Sequence, residues 1–297
     1  MATPIPAPPR ALDPILAPED LLPLLSEPHL RLVDCRFSLA APQAGPDAYR
    51  ASHLPNAAYL HLELDLSGPV GPHGGRHPLP DPARLAARLG ELGVGREHRV
   101  VVYDDAGEMA ARAWWLLLYL DYPSVEVLDG GMAAWQRLGG PLSGDPPTHR
   151  AVSVEPRVRP ELLVDDRAAV EAAARAGRLV DSRAEERYRG DTEPLDRRAG
   201  HIPGARNFPW TRLTDADGRY LAPDALRRRF EGLPQSPAVL YCGSGVTACP
   251  NVLALTRIGR PAQLYAGSWS DWISHPDRPV AIGPEHPDPN EPVTGDR

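Results

Sequence analysis

At 297 residues, the chain is too long for one small core and suits two ordinary domains. Its 42% hydrophobic and 24% charged residues are those of a globular protein, and a net charge of −7 with no basic run long enough to track a phosphate backbone argues against nucleic acid as a partner. No apolar stretch approaches the roughly 20 residues of a membrane span, and no charged segment followed by an apolar one opens the chain, so a cytoplasmic protein is expected.

Read in chain order, the sequence opens on a proline-rich stretch, Pro4 to Pro9, that lacks hydrophobic periodicity and reads as a tail. An apolar strand ending in an acid follows at Arg31-Leu-Val-Asp34-Cys-Arg36, then a loop with His53-Leu-Pro-Asn-Ala57. Pro82 to Leu89 has a helical pattern, with proline in the first turn where no backbone donor is required. Val100 to Tyr103 is a short, continuously apolar strand. It runs into the loop Tyr103-Asp104-Asp-Ala-Gly-Glu-Met-Ala110 and a helical stretch, and a glycine turn leads to Trp135.

The same features then recur in the same order. They are Arg178-Leu-Val-Asp181-Ser-Arg183, His201-Ile-Pro-Gly-Ala205, a helical Pro223 to Phe230, the strand Ala238 to Tyr241, and Gly267-Ser-Trp-Ser-Asp-Trp272. Matched positions lie 147 (Asp34 to Asp181), 148 (His53 to His201) and 138 (Tyr103 to Tyr241) residues apart. A period this long means duplicated domains, not a solenoid. We expect one domain over 12–142, a linker over 143–159 within the proline-rich Pro141–Pro160, and a second domain over 160–284. Pro284 to Pro292 reads as a second tail. Strands alternating with helices predict an α/β fold, each half a mainly parallel sheet flanked by helices, with sites at the carboxyl ends of strands.

Three cysteines, Cys35, Cys242 and Cys249, without C-x-x-C spacing, argue against a disulfide framework or a zinc site. Cys242 stands at the end of a strand, and Cys242-Gly-Ser-Gly-Val-Thr-Ala248 leads into a helix. The glycines let the backbone curl so that its N–H groups point inward, and the helix adds its positive end, a setting that favours a negatively charged sulfur. The first half has Asp104 at this place, so one half is catalytic and the other a scaffold. Cys249 reads as a packed core residue with a disulfide to Cys242 as the alternative, and Cys35 as structural. His53 and His201, present in both halves, read as loop braces, and the tryptophans as packing against the sheets.

These residues together resemble the rhodanese superfamily, specifically its tandem-domain members, over about Leu12 to Gly283. The resemblance rests on the Cys242–Ala248 loop, the two His-apolar-Pro loops and the two glycine-to-tryptophan turns. The loop looks like that of the 3-mercaptopyruvate sulfurtransferases, since no Lys or Arg follows Cys242 before Ala248, whereas the thiosulfate enzymes place cations there. The resemblance implies that Cys242 takes sulfur from a small donor as a persulfide and yields it to a thiol or cyanide acceptor, such as a thioredoxin-like protein, without cofactor or metal. It implies proton handling by Ser244, with His77 and an acid, Glu63 or else Asp65. It implies donor binding by Arg187 and by Arg197 (Arg198 being adjacent), and by Gly243, Gly245, Val246 and Thr247. A thiosulfate:cyanide sulfurtransferase and a non-catalytic persulfide carrier are the alternatives. A cysteine phosphatase needs an arginine at the end of a C-x5-R loop, and Ala248 stands there.

Overall fold

The computed structural model describes residues 13–284, so the two proline-rich tails lie outside the described residues, apart from Pro284. The chain forms two compact units. Of the described residues, the first comprises 13–69, 79–162 and 215–220; the second comprises 70–78, 163–214 and 221–284.

In the first unit the strands are β1 (Ile15–Leu16), β2 (Leu30–Asp34), β3 (Ala58–Tyr59), β4 (Arg99–Tyr103) and β5 (Val125–Leu128). They form one sheet in the order β1-β5-β4-β2-β3, and every pairing is parallel. Central β4 reads Arg-Val-Val-Val-Tyr, apolar on both faces because helices cover both faces of such a sheet. Leu32, Val101, Leu128 and Trp135 lie in its core. The helix Pro82–Glu91 starts as its sequence demands: proline occupies the first turn and the Asp81 carboxylate caps the N–H of Arg84.

The segment read as a linker, 143–159, is hydrogen-bonded to this unit. Ser143 pairs with His53, Val152 N–H donates to the Gly90 carbonyl at 2.9 Å, and Arg159 N–H to that of Tyr119 at 2.8 Å. A Cβ on Gly90 would stand 2.5 Å from the Val152 carbonyl oxygen, so the strap lies where only glycine leaves room.

The second unit repeats the plan with β6 (Leu163–Val164), β7 (Leu179–Asp181), β8 (Arg206–Asn207), β9 (Ala238–Tyr241) and β10 (Ala262–Tyr265). Their order is β6-β10-β9-β7-β8, again wholly parallel. Val239, Tyr241, Trp269 and Trp272 share the core. The chain leaves β9 toward β10 on one side and β7 toward β8 on the other. The crevice outside the carboxyl ends of β7 and β9 is thus where an open α/β sheet binds ligands.

The repeated histidines brace loops in both units. His53 stacks on Tyr49 at 4.2 Å and engages the carbonyls of Tyr49 and Asp145. His201 stacks on Tyr188 at 3.8 Å and engages its carbonyl. Tyr103 and Tyr241, each closing its central strand, accept the N–H of Leu54 and Ile202 respectively on their hydroxyls, both at 3.1 Å.

Candidate functional site

Cys242 directly follows β9 and is 1% exposed. Its sulfur accepts the Gly245 N–H at 3.1 Å. Gly245 has φ +80°, and a Cβ there would lie 2.2 Å from the Ala266 carbonyl oxygen, so the turn that aims this N–H requires glycine. The next turn, Gly267–Asp271, holds the loop from outside. Trp269 N–H donates to the Cys242 carbonyl at 3.0 Å, Ser270 N–H to that of Gly243 at 2.9 Å, and Cys242 N–H to the Ser268 hydroxyl at 3.1 Å. The following helix, Cys249–Arg257, starts at Cys249 itself. The Cys249 thiol is buried and donates to the Gly245 carbonyl at 3.4 Å, so it packs under the loop.

Ser244 is buried, and its hydroxyl shares a 2.8 Å hydrogen bond with Nδ1 of His77, which lies in the 70–78 segment of this unit. Val246 is buried and Thr247 half-buried.

The loop after β7 supplies charge. Asp181 and Arg183 form a fully buried bidentate pair, and the Arg183 guanidinium also lies 4.7 Å from the Trp269 ring. Arg187 donates to Glu193 at 2.7 Å and to Asp196 at 3.2 Å. A Cβ on Gly243 would be 3.4 Å from an Arg187 nitrogen, so this guanidinium faces the cysteine loop. Arg197 is exposed.

The acids proposed for proton transfer belong to the first unit. Glu63 is exposed, while the Asp65 carboxylate is taken by Arg88 at 3.1 Å and the His61 N–H at 2.8 Å.

Sequence reasoning passed over Arg76, although it adjoins His77. One Arg76 nitrogen would stand 2.9 Å from a Cβ on Gly243, and another pairs with Asp196. Glu193 and Asp196 were also missed; their signal was the density of acids between Arg187 and Arg197.

The rhodanese-like domain model matches residues 17–138 and 166–275, three quarters or more of the chain. The chain belongs to the rhodanese-like family. A Pseudomonas aeruginosa rhodanese relative, provisionally named 3-mercaptopyruvate sulfurtransferase, is 46% identical over 281 residues, covering 91% of this chain and 98% of its own. Mycobacterium tuberculosis SseB, provisionally named a thiosulfate sulfurtransferase, is 40% identical over 259 residues, covering 85% and 90%. The crystal structure of SseA from Escherichia coli, described with the rhodanese fold and catalytic mechanism of 3-mercaptopyruvate sulfotransferases, superposes with a TM-score of 0.77 at 31% identity. That match covers 87% of this chain and 100% of SseA. Both tandem rhodanese-like sheets of this chain are five-stranded and parallel. Among the described residues, no helix is long and apolar enough to cross a membrane.

Proposed function

We propose that this rhodanese-like protein is a sulfurtransferase that takes sulfur from 3-mercaptopyruvate on Cys242 and passes it to a thiol or cyanide. The observation that carries the reading is the seat of the Cys242 sulfur: it follows the central strand and accepts the Gly245 N–H, and the next residue of its loop, Gly243, faces a guanidinium suited to a carboxylate.

The Cys242 thiolate attacks the donor sulfur, forming an S–S bond as the donor C–S bond breaks. The C–S electron pair leaves on the carbon as the enolate of pyruvate. The proton of the donor thiol ends on that carbon, leaving pyruvate and a Cys242 persulfide anion. An acceptor thiolate or cyanide then takes the outer sulfur, and Cys242 departs as thiolate. The Gly245 N–H, already aimed at the sulfur, holds the sulfur anion. Arg187 orients the donor. The Ser244–His77 pair carries the proton. The acid that the family resemblance carries over to the relay is Glu63, since the Asp65 carboxylate is already held by Arg88 and the His61 N–H. Gly243, Gly245, Val246 and Thr247 line the donor's place, and the resemblance adds the exposed Arg197. No cofactor takes part. A cytoplasmic location and a thioredoxin-like acceptor are part of this proposal.

A second reading, thiosulfate as donor, is favoured by the name of the Mycobacterium tuberculosis relative and by the two guanidiniums facing Gly243. Intact-mass measurement after incubation with each donor separates them, since a persulfide adds one sulfur, about 32 Da. A gain with 3-mercaptopyruvate that Cys242→Ser lacks supports the main reading. A gain with thiosulfate alone moves the protein to the second, and no gain with either donor overturns both.

A further inference from the structure

The second unit gathers three guanidiniums and three carboxylates beside the cysteine loop: Arg76, Arg183 and Arg187 with Asp181, Glu193 and Asp196. The set is neutral as it stands. A donor that brings its own carboxylate would leave it one negative charge in excess, in a place where water screens poorly. One of the three resident carboxylates must therefore give way.

The contacts single one out. Asp181 is locked to Arg183 with both side chains fully buried. The Glu193 carboxylate accepts from Arg183 and Arg187, and also from the backbone N–H of Leu195 at 3.1 Å and of Asp196 at 3.2 Å, so it holds its own loop together. The Asp196 carboxylate bridges the guanidiniums of Arg76 and Arg187, with no backbone amide among its described partners. It sits on a stretch, 191–199, that forms neither helix nor strand. Burial pushes its carboxyl above the ordinary range, with Arg76 opposing.

Arg76 is fixed where it can matter. Its N–H donates to the Ser270 hydroxyl at 3.1 Å, and Gly74 N–H donates to the Asp271 carboxylate at 2.8 Å. A Cβ on Gly75 would lie 2.5 Å from the Gly267 carbonyl oxygen. The same turn, 267–271, holds the backbone of Cys242 and Gly243. One rigid turn thus sets both the sulfur's loop and Arg76, and Gly243 leaves the space between them open.

We propose that Arg76 and Arg187 together form the seat for the donor's carboxylate, and that Asp196 occupies this seat in the resting protein and is exchanged for the donor. Arg76 thereby does the work the family resemblance assigned to Arg197. This inference rests on the proposed 3-mercaptopyruvate reading and adds to it the residues that set donor affinity.

The test is steady-state kinetics with 3-mercaptopyruvate and a fixed dithiol acceptor, on the full chain and on Asp196→Asn, Arg76→Ala and Arg76→Lys. Asp196→Asn is expected to lower the donor KM by about threefold to tenfold, the weight of one charge-assisted contact. A residue with a merely structural role would raise KM, never lower it. Arg76→Ala is expected to raise KM about tenfold, more than it changes kcat, with Arg76→Lys recovering part of the loss. An unchanged or raised KM in Asp196→Asn overturns the exchange, and an unchanged KM in Arg76→Ala overturns the seat. Failure of the unsubstituted protein to gain sulfur from 3-mercaptopyruvate is read before any variant and overturns the functional reading itself, with the inference resting on it.

Discussion

Asp104 stands in the first unit where Cys242 stands in the second: each directly follows the tyrosine that closes the central strand, and each accepts the N–H of the residue three positions on. For Asp104 that donor is Gly107 at 2.5 Å, joined by Met109 at 2.7 Å and Ala110 at 3.0 Å. For Cys242 it is Gly245 at 3.1 Å. The duplicated loop has thus kept its anion cradle in both halves. In one the acceptor is a carboxylate, and in the other it is the sulfur that we propose as the carrier of the transferred sulfur.

It follows that Asp104 serves stability. Burial pushes its carboxyl up to about 6, against three N–H donors that favour the ionised form. Asp104→Ala leaves those donors without their acceptor in a buried place, at about 1–3 kcal/mol for each that stays unsatisfied. We expect urea unfolding of the full chain to show the first unit weakened by about 3 kcal/mol or more. The folded variant should still gain sulfur at Cys242. Loss of that gain at a temperature where the variant remains folded would contradict the division of roles.

Much of this was legible before the structure because it is periodic or local. The repeat, the parallel strands and the helix opening at Pro82 follow from apolar runs, glycines and prolines at set distances. The cradle around Cys242 could be read because two glycines beside a cysteine at a strand end leave few other conformations. The linker's course was not legible: its prolines suggest a spacer, while its carbonyls reach Gly90 and Gly93, which stand some 60 residues earlier. Arg76 and Asp196 were not legible for the same reason, since their pairing joins positions 120 residues apart and no short motif encodes it. Composition counts charges but does not say which are matched.

The acid beside Asp104 gives a pH signature. Glu108 opens the helix Glu108–Tyr119, and burial first, Asp104 second, push its carboxyl from 4.5 up to about 7. A carboxyl raised on folding holds a proton that the unfolded chain releases. Its contribution is therefore intact below the unfolded value and is lost as pH rises through about 7. Glu108→Gln should match the unsubstituted protein near pH 4 and exceed it in stability by about 2 kcal/mol near pH 8. Denaturant titrations at the two pH values check this, and equal curves at pH 8 would refute it.

The Ser244–His77 hydrogen bond predicts a particular kinetic split. Ser244→Ala removes the hydroxyl but leaves the Arg187 contacts alone, so donor binding should persist while proton transfer suffers. A fall in kcat of about 10²-fold is expected, with KM held within about threefold. His77→Gln should do the same, and the double variant should lose little more than either alone, because two members of one relay do not add. Additive losses would mean that the two side chains act separately.

Gly243 and Gly245 differ in what a methyl group would meet, and this separates the loop's two tasks. At Gly245 the obstacle is the Ala266 carbonyl oxygen at 2.2 Å, and φ is +80°. Neither can yield cheaply, so Gly245→Ala must re-form the turn and lose the N–H aimed at the sulfur. Its sulfur gain should fall by at least about 10²-fold, the usual cost of one anion-stabilising donor. At Gly243 the obstacles are guanidinium nitrogens, of Arg76 at 2.9 Å and Arg187 at 3.4 Å. These are the far ends of flexible side chains and can swing aside, so Gly243→Ala should fold normally. It should keep its persulfide at saturating donor and pay in KM, because the methyl group stands where the donor enters. Mass measurement across a donor concentration series distinguishes the two: Gly245→Ala stays low at every concentration, whereas Gly243→Ala reaches the full gain at higher donor. The reverse pattern would mean that the sulfur's anion seat is built from Gly243 and the donor's path from Gly245.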